Sequence, residues 1–474
     1  MSSESGKKAV KSGFWYVISN VLIRAVGILT APIYTRLLTT AETGYANNFN
    51  NNVSLLSVIA GLCLIYSVGR AKLDFAEEFD KYLSSIQTLS GIFGILMMAA
   101  VFIVCPAEGM LKLERTAVLI LFAYLAVYPS IDYMQYKYRF EYRYKENIAI
   151  SVIITLATVI LTVALIFAMP YDKRFAKILG TVIPSAAVAL WCYTKIIVRG
   201  KCFFNKKFWA YALKISLPMI PHGLAMLLLA RIDTYMIAEI CNFSDVGLYT
   251  SGYTIGSLLM FVTNAVGNAW LPWFNERLYE NDHKAIREKN LYMMLAGSAI
   301  TLAFIAAAPE AVKILYAPAY HAAMYVVPPV ALGTLCQYFY TNYVNVELFY
   351  KKTTLIAINS CIAAVADIAL NAYFIPRYGY IAAAYTTLAG YFILMVLHFI
   401  STRIILGIKL YRDFLYFLIL IVTSAVGIGC LYFYDNWLIR YAAVLIFIGI
   451  LAYCKNDVIM GVVLKFSERL KKRK

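Results

Sequence analysis

The chain has 474 residues, of which 62% are hydrophobic and only 15% are charged. Soluble globular domains are apolar in under half of their residues and charged in about a quarter, so an ordinary soluble domain is excluded. A net charge of +17 would suggest a nucleic-acid partner in a soluble protein. In a membrane protein the position of the charges along the chain matters more than their sum.

The chain is mostly a succession of long apolar blocks joined by short connections. Each of about fourteen blocks is near the roughly 20 residues that a helix needs to cross about 30 Å of hydrocarbon. A membrane barrel would instead show short runs of alternating polarity. The sequence therefore predicts an all-α, polytopic membrane protein. The predicted cores are 14–37, 44–68, 83–104, 117–138, 148–169, 175–198, 211–240, 246–273, 291–308, 322–349, 354–374, 382–406, 414–433 and 438–453.

Basic residues are distributed unequally between the two sides of these spans. If the N-terminus is cytoplasmic, the inner loops and tails hold most of the 43 Lys and Arg residues, as the positive-inside rule requires. Both termini are then cytoplasmic. The first span is too long for a signal-peptide core and no small-residue cleavage pattern follows it, so we expect it to stay attached. The basic tail, 465–474, either rests on anionic headgroups or is simply a solvated charge run.

Two halves of the chain match each other. Gly44 and Gly247, 203 residues apart, precede similar polar helices. Three residues recur at an offset of 206: Glu141, Tyr144 and Lys145 correspond to Glu347, Tyr350 and Lys351. Because six helices precede the second copy, the repeats are parallel and are expected to enclose a central cavity. The predicted lobes are 1–200 and 201–408, with two added helices and the basic tail in 409–474.

Polar side chains form stripes on the predicted second and eighth helices. Steps of three and four residues place each stripe on one helix face, and polar faces are costly in hydrocarbon unless they line a watery cavity. Amides and hydroxyls suit a sugar, so these residues are predicted glycan contacts. They are Asn47, Asn51 and Ser54 in the second helix, and Thr250, Thr254, Ser257, Asn264 and Asn268 in the eighth.

Arginines within the predicted spans are candidates for binding phosphate. Arg24 lies in the middle of the first span, where a charge costs at least about 2.5 to 3.5 kcal/mol. A guanidinium can hold phosphate through two parallel hydrogen bonds. Arg231 in the seventh span is a second candidate, and Arg70, at the inner end of the second, is a weaker third. The alternative for Arg24 is a structural ion pair with a buried acid.

Acidic and imidazole groups in the spans are candidates for coupling transport to an ion. Asp367 shares a face of the eleventh helix with Asn359 and Asn371, and a desolvated carboxyl can take up a proton. Asp233 and His222 share a face of the seventh helix. The alternative for Asp367 is a hydrogen-bonded carboxyl that fixes helix packing.

The sequence contains no pattern typical of catalysis, of a metal site or of a cofactor site. The chain has nine cysteines and four histidines, without CxxC pairs or metal-ligand spacing, and no GxSxG or phosphate-cradling motif. We therefore predict a protein that is not an enzyme and carries neither a cofactor nor a metal.

Three segments resemble the Wzx-like polysaccharide biosynthesis flippases, the polysaccharide transporter branch of a superfamily that also contains the multidrug and toxin extruders. They read SGFWYVISNVLIRAVGILTAPIYTRLLTTAETGY at 12–45, LPMIPHGLAMLLLARIDTYMIAEICNFSDVGLY at 217–249 and LNAYFIPRYGYIAAAY at 370–385. The resemblance implies movement of a polyprenyl-pyrophosphate-linked oligosaccharide from the cytoplasmic to the outer leaflet by alternating access. It implies a bacterial cytoplasmic membrane, and other membrane proteins of polysaccharide assembly as potential partners.

Two other functions are compatible with parts of this pattern. A cation or drug antiporter of the extruder type would share the architecture, although the first span has Arg24 where a cation site would need a carboxylate. A membrane glycan polymerase or ligase would usually need a sizeable outer loop or catalytic carboxylates, and the sequence shows neither.

Overall fold

The computed structural model describes residues 26–141, 143–217, 219–350 and 352–453, and no strand occurs within these ranges. The helices of the first half are α1 (26–37), α2 (Thr40–Ala60), α3 (Ile65–Asp74), α4 (Phe79–Val104), α5 (Arg115–Val127), α6 (Pro129–Phe140), α7 (Tyr144–Ala168), α8 (Lys173–Gly200) and α9 (Lys206–Ser216). The remaining helices are α10 (Met219–Ile240), α11 (Phe243–Gly256), α12 (Leu259–Tyr279), α13 (His283–Ala306), α14 (Ala308–Leu315), α15 (Val327–Phe349), α16 (Thr353–Tyr378), α17 (Tyr380–Ile400), α18 (Asp413–Gly429) and α19 (Trp437–Tyr453).

The structure confirms an all-α, polytopic membrane protein. In the described ranges, eight helices are long and apolar enough to cross a membrane, and up to ten spans result if two bent helix pairs are each counted as one. The predicted second span is one such pair, α2 and α3, bent by 43°. The predicted seventh and eighth spans are each divided into two shorter helices. The total of fourteen spans stays a prediction.

Local sequence explains several helix ends. Thr39 and Glu42 form a capping box at the start of α2, in which each side chain bonds the backbone of the other residue. Asn205 caps α9 by accepting hydrogen bonds from two backbone N–H groups of its first turn. Lys201, at a φ of 49°, ends α8 in the left-handed conformation. The caps at Lys201 and Asn205 therefore fix the two ends of the basic connection between α8 and α9.

The helices form two compact units. The first comprises Met1–Thr250 with Ile314–Tyr320 and Ile375–Tyr380, and the second comprises Ser251–Lys313, His321–Phe374 and Ile381–Lys474. Such units reflect where packing is dense and do not test the division into repeats at residue 200, which stays a prediction. Each unit has its own apolar core, around Tyr82 and Tyr138 in the first and around Phe274 and Phe339 in the second.

Gly44 and Gly247, on which the predicted duplication partly rests, have a packing role in the first unit. A Cβ added to Gly44 would lie 1.7 Å from the carbonyl oxygen of Phe243, and one added to Gly247 would lie 2.1 Å from that of Thr40. The hydroxyls of Thr40 and Ser244 bond each other at 2.6 Å. Glycine is therefore required at both positions because the backbones of α2 and α11 touch there.

Candidate functional site

The stripe on α2 meets the start of the second stripe within the first unit. Asn47 Nδ2 donates to Thr250 Oγ1 at 2.7 Å. Asn51 is buried, and its Nδ2 approaches the Arg231 carbonyl oxygen at 3.5 Å while its Oδ1 has no recorded hydrogen bond. Ser54 donates to the carbonyl of Asn50 one turn earlier. In this conformation the stripes partly satisfy each other, so a glycan would have to replace these bonds.

The other members of the second stripe belong to the second unit. The Thr254 side chain is exposed, and its carbonyl accepts a hydrogen bond from Ser257 at 3.1 Å. Asn264 is exposed as well, whereas the side chain of Asn268 lies outside the described part. Exposure leaves Thr254 and Asn264 accessible to a polar ligand.

The candidate arginines have different surroundings. Arg231 projects from α10 with an exposed side chain. Arg70 Nε forms an ion pair with Asp74 at 3.0 Å, and the same carboxylate accepts the Tyr211 hydroxyl at 2.7 Å. Arg24 lies outside the described residues, and its role stays a prediction. Both described arginines have exposed side chains, and Arg70 differs in being held by an ion pair.

The coupling candidates on α10 and α16 are buried where they are described. Asp233 accepts the Tyr249 hydroxyl at 2.7 Å, and the side chain of His222 lies outside the described part. Asp367 is buried beside Asn371, whose Nδ2 is 3.5 Å from Asp367 Oδ2, and Thr386 donates to Asn371 Oδ1. An added Cβ at Gly390 would lie 3.3 Å from Asp367 Oδ1. This arrangement joins α16 to α17 through a carboxyl, an amide and a hydroxyl.

Asn359, which the helix pattern places on the face of Asp367, takes part in a different cluster. Its Nδ2 donates to Ser401 Oγ at 2.9 Å, beside His398. His398 Nδ1 lies 2.9 Å from Glu347 Oε2, and both side chains are buried. The His398 ring also stacks on Tyr340. Sequence analysis noted Glu347 only as part of a repeated motif and missed His398, because the two residues are 51 positions apart.

A cavity of about 130 Å³, lined by several amide and hydroxyl side chains, lies in the second unit between α12 and α15. We call it the amide cavity. Four of its lining residues are Asn264 and Trp270 from α12 and Gln337 and Asn345 from α15. The Trp270 indole nitrogen and Gln337 Oε1 are buried without a recorded hydrogen-bond partner. Amides beside an indole ring offer both hydrogen bonds and an apolar face, as a carbohydrate ligand requires.

Sequence analysis found the α12 side of this cavity and missed the α15 side. The overlooked residues, Gln337, Thr341, Asn342 and Asn345, follow helical spacing and could have been recognised by the test applied to α2. Asn342 is held in place, since its Oδ1 accepts from Asn290 Nδ2 at 2.6 Å and its carbonyl accepts the Tyr411 hydroxyl. The cavity wall is therefore fixed by contacts behind it.

Comparison with protein families gives one match that covers more than half of the chain. The model of the family described as polysaccharide biosynthesis protein matches residues 9–278. A search of curated proteins finds no match. The match covers nearly all of the first predicted lobe and continues through α9, α10, α11 and α12.

Several solved structures share the fold. A structure described as lipid II flippase MurJ in an inward closed conformation aligns with a TM-score of 0.70 and 14% identity, over 95% of this chain and 100% of that chain. An inward-facing multidrug resistance MATE family transporter of the MOP superfamily gives 0.57 and 15%, over 82% and 98%. A MOP superfamily transporter from Pyrococcus furiosus gives 0.51 and 13%, over 85% and 96%. At these identities the likeness shows the fold alone.

Proposed function

Because this chain belongs to the family of polysaccharide biosynthesis proteins, we propose that it is a flippase for a lipid-linked oligosaccharide. The substrate would be a glycan joined to a polyprenyl carrier through pyrophosphate, moved from the cytoplasmic to the outer leaflet. The amide cavity is the observation that carries this proposal. It offers neutral hydrogen-bonding groups, as a glycan needs, and none of its described lining residues is a carboxylate that would attract a cationic drug.

Residue roles follow from chemistry. Arg24 and Arg231 would hold the pyrophosphate, with Arg70 near the inner entrance. The polar stripes and the amide cavity would contact the glycan while the lipid tail stays in the bilayer. Movement would alternate the exposure of a cavity between the two predicted lobes. The substrate is chemically the same before and after it crosses the membrane, so no covalent step is required.

The bonds within the stripes suggest how transport could be gated. Asn47 and Thr250 bond each other in this conformation, and a glycan hydroxyl could replace either partner at little cost, because hydrogen bonds of similar strength are exchanged. Asp367, with Asp233 and His222, would couple the change of exposure to an ion. In this account the hydrogen bond between the two stripes closes the path of the substrate through the protein when no substrate is bound.

Reconstitution tests the proposal directly. Purified protein is placed in vesicles that contain a fluorescent polyprenyl-pyrophosphate oligosaccharide, and a membrane-impermeant glycosidase is added outside. A flippase makes the substrate of both leaflets digestible with time, whereas protein-free vesicles plateau near one half. A plateau near one half with folded protein, whether or not an ion gradient is imposed, would contradict the proposal.

The extruder-type cation antiporter remains a second candidate, because a multidrug resistance transporter shares the fold. It would export cationic drugs in exchange for protons or sodium ions. Cells that lack the chain would then become drug-sensitive while their lipid-linked glycans remain normal. If the chain is a flippase, cells that lack it should have altered lipid-linked glycans and unchanged drug resistance.

Location and partners follow from the same proposal. A lipid-linked glycan made in the cytoplasmic leaflet requires a flippase in the bacterial cytoplasmic membrane, with both termini inside. The proteins that build and extend the glycan would be functional neighbours. Labelling of single cysteines introduced into the loops, with impermeant reagents, tests the orientation.

A further inference from the structure

A second cavity, of about 330 Å³, lies in the first unit and is not used by the proposed flippase mechanism. We call it the Asp132 cavity. Its wall includes Ser57 and Gly61 from α2 and the following turn, and Pro129 and Asp132 from α6. Given that a water molecule occupies about 30 Å³ in the liquid, there is room for roughly ten waters. The cavity therefore has space for a hydrated ion.

Two helix interruptions meet at this cavity. The bent pair α2 and α3 is broken at residues 61–64, where Leu62 and Cys63 have φ values of 48° and 52° in the left-handed region. Pro129 begins α6 directly after α5 ends. A Cβ added to Gly61 would lie 3.6 Å from Pro129 Cγ, so the two breaks are in contact. Irregular backbone at membrane depth is tolerated where it is buried or lines a cavity.

Asp132 places a carboxylate at this point. It lies eight residues from the inner end of the span Arg115–Phe140, about 12 Å along the helix axis, and therefore within the hydrocarbon layer. In the described part of the chain it has no recorded hydrogen bond or ion pair. The charge that acts on it is Arg139, two turns along the same helix. An intramembrane carboxylate without an ion pair is costly unless a proton or a bound cation neutralises it.

The chemistry of the wall selects the kind of ion. The C-terminal end of α2 carries the negative pole of its helix dipole toward the break, and the Ser57 hydroxyl oxygen can accept or coordinate. A single carboxylate neutralises one positive charge, so a divalent ion would leave an uncompensated charge in the membrane. Clusters of three His, Cys, Asp or Glu side chains suited to a metal ion do not occur in the described ranges.

We infer that the Asp132 cavity is a binding site for a monovalent metal cation, held by the Asp132 carboxylate at the meeting point of the two broken helices. The site lies in the first unit, whereas the coupling candidate Asp367 belongs to the second. Ion binding here does not depend on which substrate is transported, so the test does not require the flippase assay.

The experiment measures binding of radioactive sodium ion to the purified protein, with ionic strength held constant by a large organic cation. The wild type should show saturable binding that unlabelled sodium displaces. Asp132→Asn should weaken binding at least about tenfold, because Asp132 is the charged side chain among the described residues that line the cavity. Glu108→Gln removes the same charge from an exposed position and should leave binding unchanged.

Three results would overturn the inference: no saturable binding of sodium, potassium or lithium ion to folded wild type, full binding in Asp132→Asn, or loss of the binding in Asp367→Asn instead. Should Asp132→Asn fail to fold, Ser57→Ala provides the test. It keeps the charge and removes a neutral ligand, so binding should weaken several-fold, and unchanged affinity in that variant would reject the site.

Discussion

The Asp132 cavity and the amide cavity occupy matching places in the two halves of the sequence. With the offsets of 203 and 206 residues, Gly61 corresponds to Asn264 and Asp132 to Tyr338, and each of these four residues lines its cavity. The Asp132 cavity has a carboxylate and a glycine at these positions, and the amide cavity has an amide and a phenol. The predicted duplication would explain why both cavities exist, and divergence of these pairs would then have given one of them charge and the other neutral hydrogen-bonding groups.

The largest expected effect concerns the Glu-x-x-Tyr-Lys motif, which occurs once in each half of the sequence. Glu347 is fully buried with His398, whereas Glu141 is a quarter exposed and lies near Lys137 and Arg143. Glu347→Ala leaves a buried imidazole without its partner and should cost about 3 to 5 kcal/mol of unfolding free energy. Glu141→Ala should cost about 1 kcal/mol or less, because Lys137 keeps Asp80. Unfolding in detergent measures both, and equal costs would contradict the contrast.

The amide cavity gives the next largest effect. Gln337→Leu removes hydrogen-bonding capacity from its wall and should lower the transport rate about tenfold, corresponding to one lost substrate hydrogen bond. Gln135→Leu is the matched control, because Gln135 bonds Ser151 in the other half and does not line either cavity. The vesicle assay compares the two. If Gln135→Leu slowed transport while Gln337→Leu transported at the normal rate, the assignment of the glycan site to the amide cavity would be contradicted.

The bond between the two stripes should be worth less. A double-mutant cycle with Asn47→Ala and Thr250→Val isolates it, and the coupling energy should be about 0.5 to 1.5 kcal/mol, as for other hydrogen bonds between membrane helices. The cycle is measured from unfolding in detergent. Additive effects would mean that the two side chains do not bond each other in the dominant conformation.

The smallest effect concerns pH. Hydrogen bonds from the buried Arg440 lower the pKa of the Glu310 carboxyl, on the short helix α14, below its ordinary value of 4.5. A lowered pKa in the folded state stabilises the protein above the unfolded value, and this contribution is lost as the pH falls below about 4.5. Thermal unfolding between pH 7 and 3 should show a shallower loss in Glu310→Gln than in the wild type, and identical slopes would contradict it.

Sequence patterns predicted the fold class because composition, block length and basic loops act over many residues and do not depend on packing detail. The α12 wall of the amide cavity could be predicted for the same reason, since Asn264 follows a helical stripe. The role of Gly44 and Gly247 could not, because it depends on the contact between α2 and α11.

Contacts between side chains on different helices were the main feature that the sequence could not predict. Glu347 and His398, or Gly61 and Pro129, are distant in sequence, and periodicity describes one helix at a time. Asp132 was overlooked for a related reason. The helix break at residues 61–64 is about 70 positions from Asp132 in the sequence, and the periodicity of one helix does not show that the two meet.

Depletion of the chain in its native cells tests the central claim most directly. Mass spectrometry of lipid-linked glycans, combined with digestion by an impermeant enzyme, reports how much of each intermediate lies in each leaflet. The flippase account predicts accumulation of the completed lipid-linked oligosaccharide in the cytoplasmic leaflet, and its loss from the outer leaflet. Unchanged amounts in both leaflets after depletion, with no other change in surface glycan, would contradict the account.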